Sequence, residues 1–390
     1  MSHADSPFIE QTLPHWRRAV LKVGSSLVAP EGEGLSARHA LGLARFVADS
    51  LAVGREVVIV SSGAVAAGRA VIHRKPESGA AMAERQALAA LGQAKLIGLW
   101  QGLFERPVAQ VLLTHDDLRN RRRYLNARAT LNELLALGAL PVINENDTVS
   151  VDELKLGDND NLAAVIAALV DADAFFIATD IDGFYTANPR VHAGAQPIDE
   201  VGVLTPELFA MAGDAGSSNG TGGMRTKLEA ASKAAAAGVE TFLFNGTSAD
   251  VVSSLAQGKL RGTRFRPSRN RIAARKYWLR NVPLESGSII VDAGAARAMG
   301  EKGASLLPGG VLAAEGDFRR GDMIEVRLRD EQGDRGIARG VSQYSAVDIR
   351  RIARRHSRDI EAVLGYNYGG NVIHRDDLVL LSPEGTSSGA

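Results

Sequence analysis

The sequence predicts an α/β fold: a three-layer αβα sandwich with a mostly parallel sheet, followed by a small, mainly β domain. Three observations predict it. Short apolar, β-rich runs alternate with longer helical patterns over residues 18–257. Those runs are apolar on both faces, as strands must be when helices cover each side of a parallel sheet. After residue 285 the rhythm changes to short β-type stretches cut by Gly-rich turns.

Residues 1–17 mix Pro, Gln and charge without periodicity and are expected to form a loose tail. The alternation then begins: Ala19–Val23 before Ala37–Val53, then Glu56–Val60 before Val65–Ile72 and Glu84–Phe104. It continues through Val108–Leu113, Asn120–Leu137, Leu140–Ile143, Asn159–Val170, Ala174–Ala178, Met224–Ala237 and Val239–Phe244. Residues 258–284 carry nine basic residues and no acidic one, with Pro267 and Pro283 as punctuation, and read as a basic linker. The second domain is assigned to 285–365, with strand-like Ser288–Val291, Val311–Ala313 and Met323–Leu328. Residues 366–390, ending in a Ser/Gly/Pro-rich stretch, read as a C-terminal tail. Arg119, Arg121, Arg122, Arg123 and Arg128 crowd one helix and are read as an exposed face in preference to an oligomer contact.

Composition narrows the function. The 390 residues hold 45 Lys plus Arg against 45 Asp plus Glu, which argues against a chain coated in one charge sign. Cysteine is absent, excluding disulfides, thiolate nucleophiles and Cys-ligated zinc. The longest apolar run, Leu162–Val170, is far short of the ~20 residues a bilayer span needs. The first residues lack the basic-then-apolar pattern of a secretory signal. A cytoplasmic enzyme is the expectation.

In a parallel α/β sheet, ligands gather where strands end and loops turn into helices. Lys22-Val23-Gly24-Ser25-Ser26 follows the first strand, and Ser61-Ser62-Gly63 the second. Asn144-Glu145-Asn146-Asp147 follows the fourth, with Gly157-Asp158-Asn159-Asp160 ahead of a helix. Thr179-Asp180 follows the fifth, and Thr221-Gly222-Gly223-Met224-Arg225-Thr226-Lys227 opens another helix. Singly these are turns, N-caps and solvated lysines. Jointly they place two lysines and many amide donors around one crevice, as phosphoryl transfer requires, because its catalysis is mostly positioning and charge neutralisation.

The common nucleotide motifs fail. There is no G-x-x-x-x-G-K-[ST], and Gly258-Lys259 is followed by Leu260. His374-Arg375-Asp376 imitates a protein-kinase catalytic loop, yet Leu381 stands where Asn is needed. The eight histidines are scattered, leaving a zinc site or His-based triad unsupported, and His73 and His115 read as surface or loop residues.

Taken in order, the five segments that contain Lys22, Ser62, Asp147, Asp160 and Lys227 resemble the amino-acid kinase family over about residues 18–260. The later stretch with Gly287, Gly303, Leu306, Leu307, Pro308, Gly309 and Val311 resembles a PUA domain. The resemblance implies ATP-dependent phosphorylation of the side-chain carboxylate of L-glutamate, the first step of proline biosynthesis. It implies that Lys22 and Lys227 flank the transferred phosphoryl group and that Asp160 holds both ammonium groups. By the same resemblance Ser62, Asp147 and Asn159 bind glutamate. Thr179, Asp180, Thr221, Gly222, Gly223, Met224, Arg225, Thr226 and Lys227, with Lys22, bind ATP, accompanied by a largely hydrated Mg²⁺. It further implies feedback inhibition by proline and assembly into dimers or tetramers.

The chemistry agrees with this reading. A carboxylate nucleophile with a pKa of about 4.3 is already ionised at neutral pH and needs no protein base. The site must instead overcome repulsion between anions, and at about 4 Å and an effective dielectric near 20 each charge pair contributes on the order of 4 kcal/mol. Aspartate, acetylglutamate or a nucleoside monophosphate are the alternative acceptors within the family. RNA binding through the PUA domain is the alternative from another class, though residues 286–365 hold 13 Lys/Arg against 12 Asp/Glu, which is not a strongly basic footprint.

Overall fold

The apolar runs of the first domain are buried on both faces. In the computed structural model, which describes residues 6–30, 32, 34–73, 82–150, 159–212, 223–267, 287–330 and 333–381, a short strand β1 (Glu10–Thr12) precedes β2 (Arg18–Val23). Strands β2 and β3 (Glu56–Ser61) bury every residue but the first. After β4 (Val108–Leu113), strands β5 (Leu140–Glu145) and β6 (Ala174–Thr179) are buried throughout. The short β7 (Phe184–Tyr185), β8 (Pro197–Ile198) and β9 (Glu200–Val201) lead to β10 (Glu240–Asn245) and β11 (Lys259–Phe265).

The main sheet runs β1-β11-β10-β6-β2-β3-β5-β4, with β9 added beside β11. From β10 to β4 neighbouring strands are parallel, while β11 and β1 close one edge antiparallel. Helices α1 (Ser25–Val28), α2 (Ala37–Ala52), α3 (Ala64–Val71), α4 (Met82–Gln101), α5 (His115–Arg119) and α6 (Arg121–Ala136) belong to the first half. Helices α7 (Asn159–Leu169), α8 (Pro206–Met211), α9 (Met224–Ala236) and α10 (Ala249–Ala256) belong to the second. The period-2 alternation of the strands divides their apolar residues between two cores. Val20, Val58, Val60, Phe175 and Ile177 pack with residues of α6, α7 and α9. Leu21, Val23, Val57, Ile59, Phe176 and Phe242 pack with α2, α4 and α10. That is the expected three-layer sandwich.

On the second face α3 and α4 meet backbone to backbone. A Cβ at Gly68 would fall 1.8 Å from the Leu88 carbonyl oxygen, and one at Gly92 would fall 1.8 Å from that of Ala64. Only glycine at both positions permits this approach.

The structure differs from the expected boundaries in three places. The stretch read as a loose N-terminal tail contains β1, which pairs with β11, and buries Phe8 and Trp16. Trp16 is held by Phe46 and Phe176, at ring-centroid distances of 6.3 and 5.7 Å, with the Arg55 guanidinium over its ring. The start of the basic linker is strand β11, and its charges meet carboxylates: Arg261 with Glu10 at 3.2 Å, Arg264 with Glu240 at 2.6 Å and Arg266 with Glu200 at 2.7 Å. The rest of that linker, from residue 268, lies outside the described residues. In the C-terminal stretch Val372, Ile373 and Val379 are buried, and Leu378–Leu380 forms a strand.

The chain divides into two units, Met1–Arg271 and Ile272–Ala390. The second is built on β12 (Gly287–Val291), α11 (Ala293–Lys302), β13 (Val311–Gly316), β14 (Met323–Asp330), β15 (Gly333–Val341), α12 (Ala346–Ile352), α13 (Ile360–Leu364) and β16 (Leu378–Leu380). Its sheet runs β13-β12-β14-β15-β16 around a core that includes Ile289, Ile324, Tyr344, Ile349 and Ile373. Among the described residues no helix is long and apolar enough to cross a membrane.

Candidate phosphoryl-transfer site

Strand order reverses beside β2. On one side the chain lays down β3, then β4 at the edge and β5 between them, and it returns to lay down β6 and β10 on the other. Such a switch point opens a crevice at the carboxyl ends of the flanking strands. Lys22 sits at that end of β2, opposite Ile177 of β6 and Val60 of β3.

The first turn of α7 delivers Asp160, the partner of Lys22, and the first turn of α9 delivers Lys227 to the same carboxylate. Lys22 Nζ lies 2.6 Å from Asp160 Oδ1, and Lys227 Nζ lies 3.1 Å from Asp160 Oδ2. All three side chains are buried. The Thr226 hydroxyl has two acceptors for its one proton, Asp160 Oδ2 at 3.0 Å and the Gly223 carbonyl at 2.8 Å. Burial pushes the Asp160 carboxyl up, but the ammonium groups of Lys22 and Lys227 outweigh it and hold the group well below the ordinary carboxylate range. One permanently ionised carboxylate therefore gathers two cations at the crevice.

A second, uncharged network adjoins it. Asn159 Nδ2 donates to Ser62 Oγ at 2.8 Å and to Asn144 Oδ1 at 3.0 Å, and Asn144 Oδ1 also accepts from the Glu145 N–H at 2.9 Å. With both contacts on the nitrogen, the Asn159 amide is fixed in one orientation. Its Oδ1 is left buried with no hydrogen-bond partner among the described residues, an acceptor suited to an incoming donor. Asn144, whose role the sequence did not assign, supplies that orientation. Glu145 is buried and accepts from Ser150 Oγ at 3.0 Å. Burial pushes Asp147 up to about 6, helped by the charge of Glu145 and opposed by that of Arg85.

The residues expected on the nucleotide side are more dispersed. Thr179 is buried at the end of β6, and its carbonyl accepts from the Gly246 N–H at 2.8 Å. Asp180 is exposed and lies 3.4 Å from Arg190. Gly223 caps α9 without a side-chain hydrogen bond, leaving the first-turn N–H groups of Met224 to Thr226 directed as an anion site requires. Arg225 does not join the cluster and pairs with Glu229 along the helix at 3.3 Å. Gly157, Asp158, Thr221 and Gly222 lie outside the described residues. Among the described residues no group of three or more His, Asp or Glu side chains is arranged to hold a metal ion, and both oxygens of Asp160 face lysines.

Comparison with known proteins gives the family. The model of the "Amino acid kinase family" matches residues 17–245, and that of the "PUA domain" matches residues 287–364. The glutamate 5-kinase of Xanthomonas oryzae pv. oryzae is 75% identical over 362 residues, covering 93% of this chain and 100% of that protein. The glutamate 5-kinase of Xylella fastidiosa is 70% identical over 377 residues, 96% of this chain and 98% of the relative. Of the solved structures, UMP kinase from Bacillus anthracis overlies 65% of this chain and 97% of its own at 16% identity, with a TM-score of 0.45. A crevice at the switch point, two lysines on one buried aspartate, a family model spanning more than half of the sequence and relatives this similar lead to one conclusion: the chain belongs to the amino acid kinase family.

Proposed function

We propose that the protein phosphorylates the side-chain carboxylate of L-glutamate with ATP, giving L-glutamyl 5-phosphate, the first step of proline biosynthesis in the cytoplasm. The observation that carries the reading is the Lys22–Asp160–Lys227 cluster, with the buried, unpartnered Oδ1 of the neighbouring Asn159 and the buried Asp147 on the turn after β5. The relatives named above support the choice of substrate. A carboxylate oxygen of glutamate attacks the terminal phosphorus of ATP. A new C–O–P linkage forms as the bond to the bridging oxygen breaks, and ADP leaves with the electron pair. Lys22 and Lys227 offset the negative charge that both anions bring together, while the first turn of α9 receives phosphate oxygens.

Asp147 and Asn159 Oδ1 suit the α-ammonium, which an acetylated amine would not supply, and Ser62 supports Asn159. Thr179, Asp180 and the Met224–Lys227 turn are read as the nucleotide side. The described residues offer Mg²⁺ no ligand set of their own, so the ion would arrive on the nucleotide, held by phosphates and water. Proline carries a cationic nitrogen of the same kind and is read as a competitor for Asp147, and the protein as a homo-oligomer. RNA binding is the less favoured reading, because Arg261, Arg264 and Arg266 are engaged with carboxylates.

An assay with hydroxylamine as acyl-phosphate trap tests the substrate. With glutamate, aspartate and acetylglutamate offered in parallel, the hydroxamate should form from glutamate and require ATP. No ATP-dependent product from glutamate would overturn the reading.

A further inference from the structure

Helix α4 carries three side-chain donors seven residues apart. Gln86 Nε2 donates to the Ser150 carbonyl at 3.1 Å, Gln93 Nε2 to the Glu145 carbonyl at 3.4 Å, and Trp100 Nε1 to Ser61 Oγ at 2.9 Å. Seven residues are close to two turns, so the three lie on one stripe along roughly 21 Å of helix. The stripe meets the two segments that carry Ser62 and Asp147. Its upper two contacts bracket the turn from Glu145 to Ser150, whose middle is Asp147. Gln110 Nε2 approaches Gln93 Oε1 at 3.4 Å, which fixes the Gln93 amide with its nitrogen toward Glu145.

The Trp100 contact is the most constrained. Trp100 and Ser61 are both fully buried. An indole N–H only donates, so Ser61 Oγ must accept from it, and its single proton goes to the Ser62 carbonyl at 3.1 Å. That carbonyl belongs to the peptide leading into Gly63, which holds φ at +114°, and a Cβ there would fall 2.7 Å from Val28 Cγ2. The Ser62 N–H is meanwhile tied to the Val23 carbonyl at 3.1 Å. Both polar backbone groups of Ser62 are therefore fixed, and one of them by way of α4.

We propose that α4 is the positioning element of the acid-substrate half of the site, acting through Gln86, Gln93 and Trp100, with the indole N–H on Ser61 as its fixed point. The inference rests on reading Ser62, Asp147 and Asn159 as the glutamate side. The Lys22–Asp160–Lys227 cluster is assembled from β2, α7 and α9 instead, so α4 tunes one substrate and not the other.

The test is Trp100→Phe, which keeps the ring bulk and removes the donor, Ser61→Ala, and the two combined. Each single variant should raise the glutamate KM about tenfold, the ratio expected for one net hydrogen bond, with the ATP KM and kcat within about twofold of the parent. The double variant should be no worse than either single, because the indole acts through the hydroxyl. Thermal melts record any loss of stability separately, and Ser61→Ala carries the test by itself where Trp100→Phe does not fold. A parallel rise in both KM values, a fall in kcat alone, or single effects that multiply in the double variant would overturn the positioning role. Turnover of glutamate by the parent protein separates the two claims. Its absence overturns the functional reading and this inference together, whereas its presence without the KM split overturns only the role of α4.

Discussion

Asp147 and Asp160 are the same side chain, both buried, and their environments drive them in opposite directions. For Asp147, burial dominates, the charge of Glu145 adds to it, and the carboxyl is pushed up to about 6. For Asp160, burial acts the same way but two ammonium groups overcome it. The difference separates two kinds of work. Asp160 has its cations already, and its ionisation serves to hold Lys22 and Lys227 together. Asp147 is ionised at neutral pH against the cost of desolvation, so a cation arriving beside it relieves that cost. On the function proposed above, the first serves as a permanent support and the second as a receptor for an ammonium group.

Removing a cation from the support should have the largest effect. Lys227→Ala leaves Asp160 paired with Lys22. We expect the protein to fold and bind glutamate while kcat falls by about 10²–10³, the range for losing one preorganised charge-stabilising donor. Near-normal turnover in steady-state assays would refute the division.

The receptor should reveal itself through pH. Below about 6 the free protein carries Asp147 increasingly as the neutral acid, which does not attract an ammonium. Thus kcat/KM for glutamate should fall roughly tenfold per pH unit below that point, whereas kcat at saturating glutamate should not, because the bound cation favours the ionised form. Asp147→Asn should raise the glutamate KM by about 10- to 100-fold and abolish this limb. A limb that persists in the variant would assign it to another group.

Thr226→Val should have the smallest effect. Its hydroxyl shares one proton between Asp160 and Gly223, and both lysines remain. A loss of about two- to fivefold in kcat/KM for ATP is expected. A loss as large as that of Lys227→Ala would show that the hydroxyl, more than the ammonium groups, orients Asp160.

The strand ends were legible in the sequence because both requirements are local. Strands apolar on both faces announce a covered parallel sheet, and small polar residues at their ends announce a crevice. Lys22 and Lys227 could thus be placed around one crevice although they are far apart in the chain, while the role of Asp160 came from the resemblance. What escaped was decided by partners distant in sequence. Strand β1 is three residues long and exists because β11 offers it a ladder, while the basic residues of β11 and Arg266 just after it look like a linker until Glu10, Glu240 and Glu200 meet them. The contacts of α4 were equally hidden. Nothing in the sequence singles out Trp100, whose N–H is found on Ser61, 39 positions earlier. Asn144 gained its role only through the amide of Asn159, 15 positions later.

The glycine crossing of α3 and α4 has a mechanical consequence. Where helices touch through side chains, rotamers can shift and absorb a push, but at Gly68 and Gly92 main chain rests on main chain with nothing compressible between. A tilt of one rod must therefore carry the other with it. Replacing either glycine by alanine, ordinarily a way to stiffen a helix, would here wedge the pair apart and drag the Ser62 turn out of place.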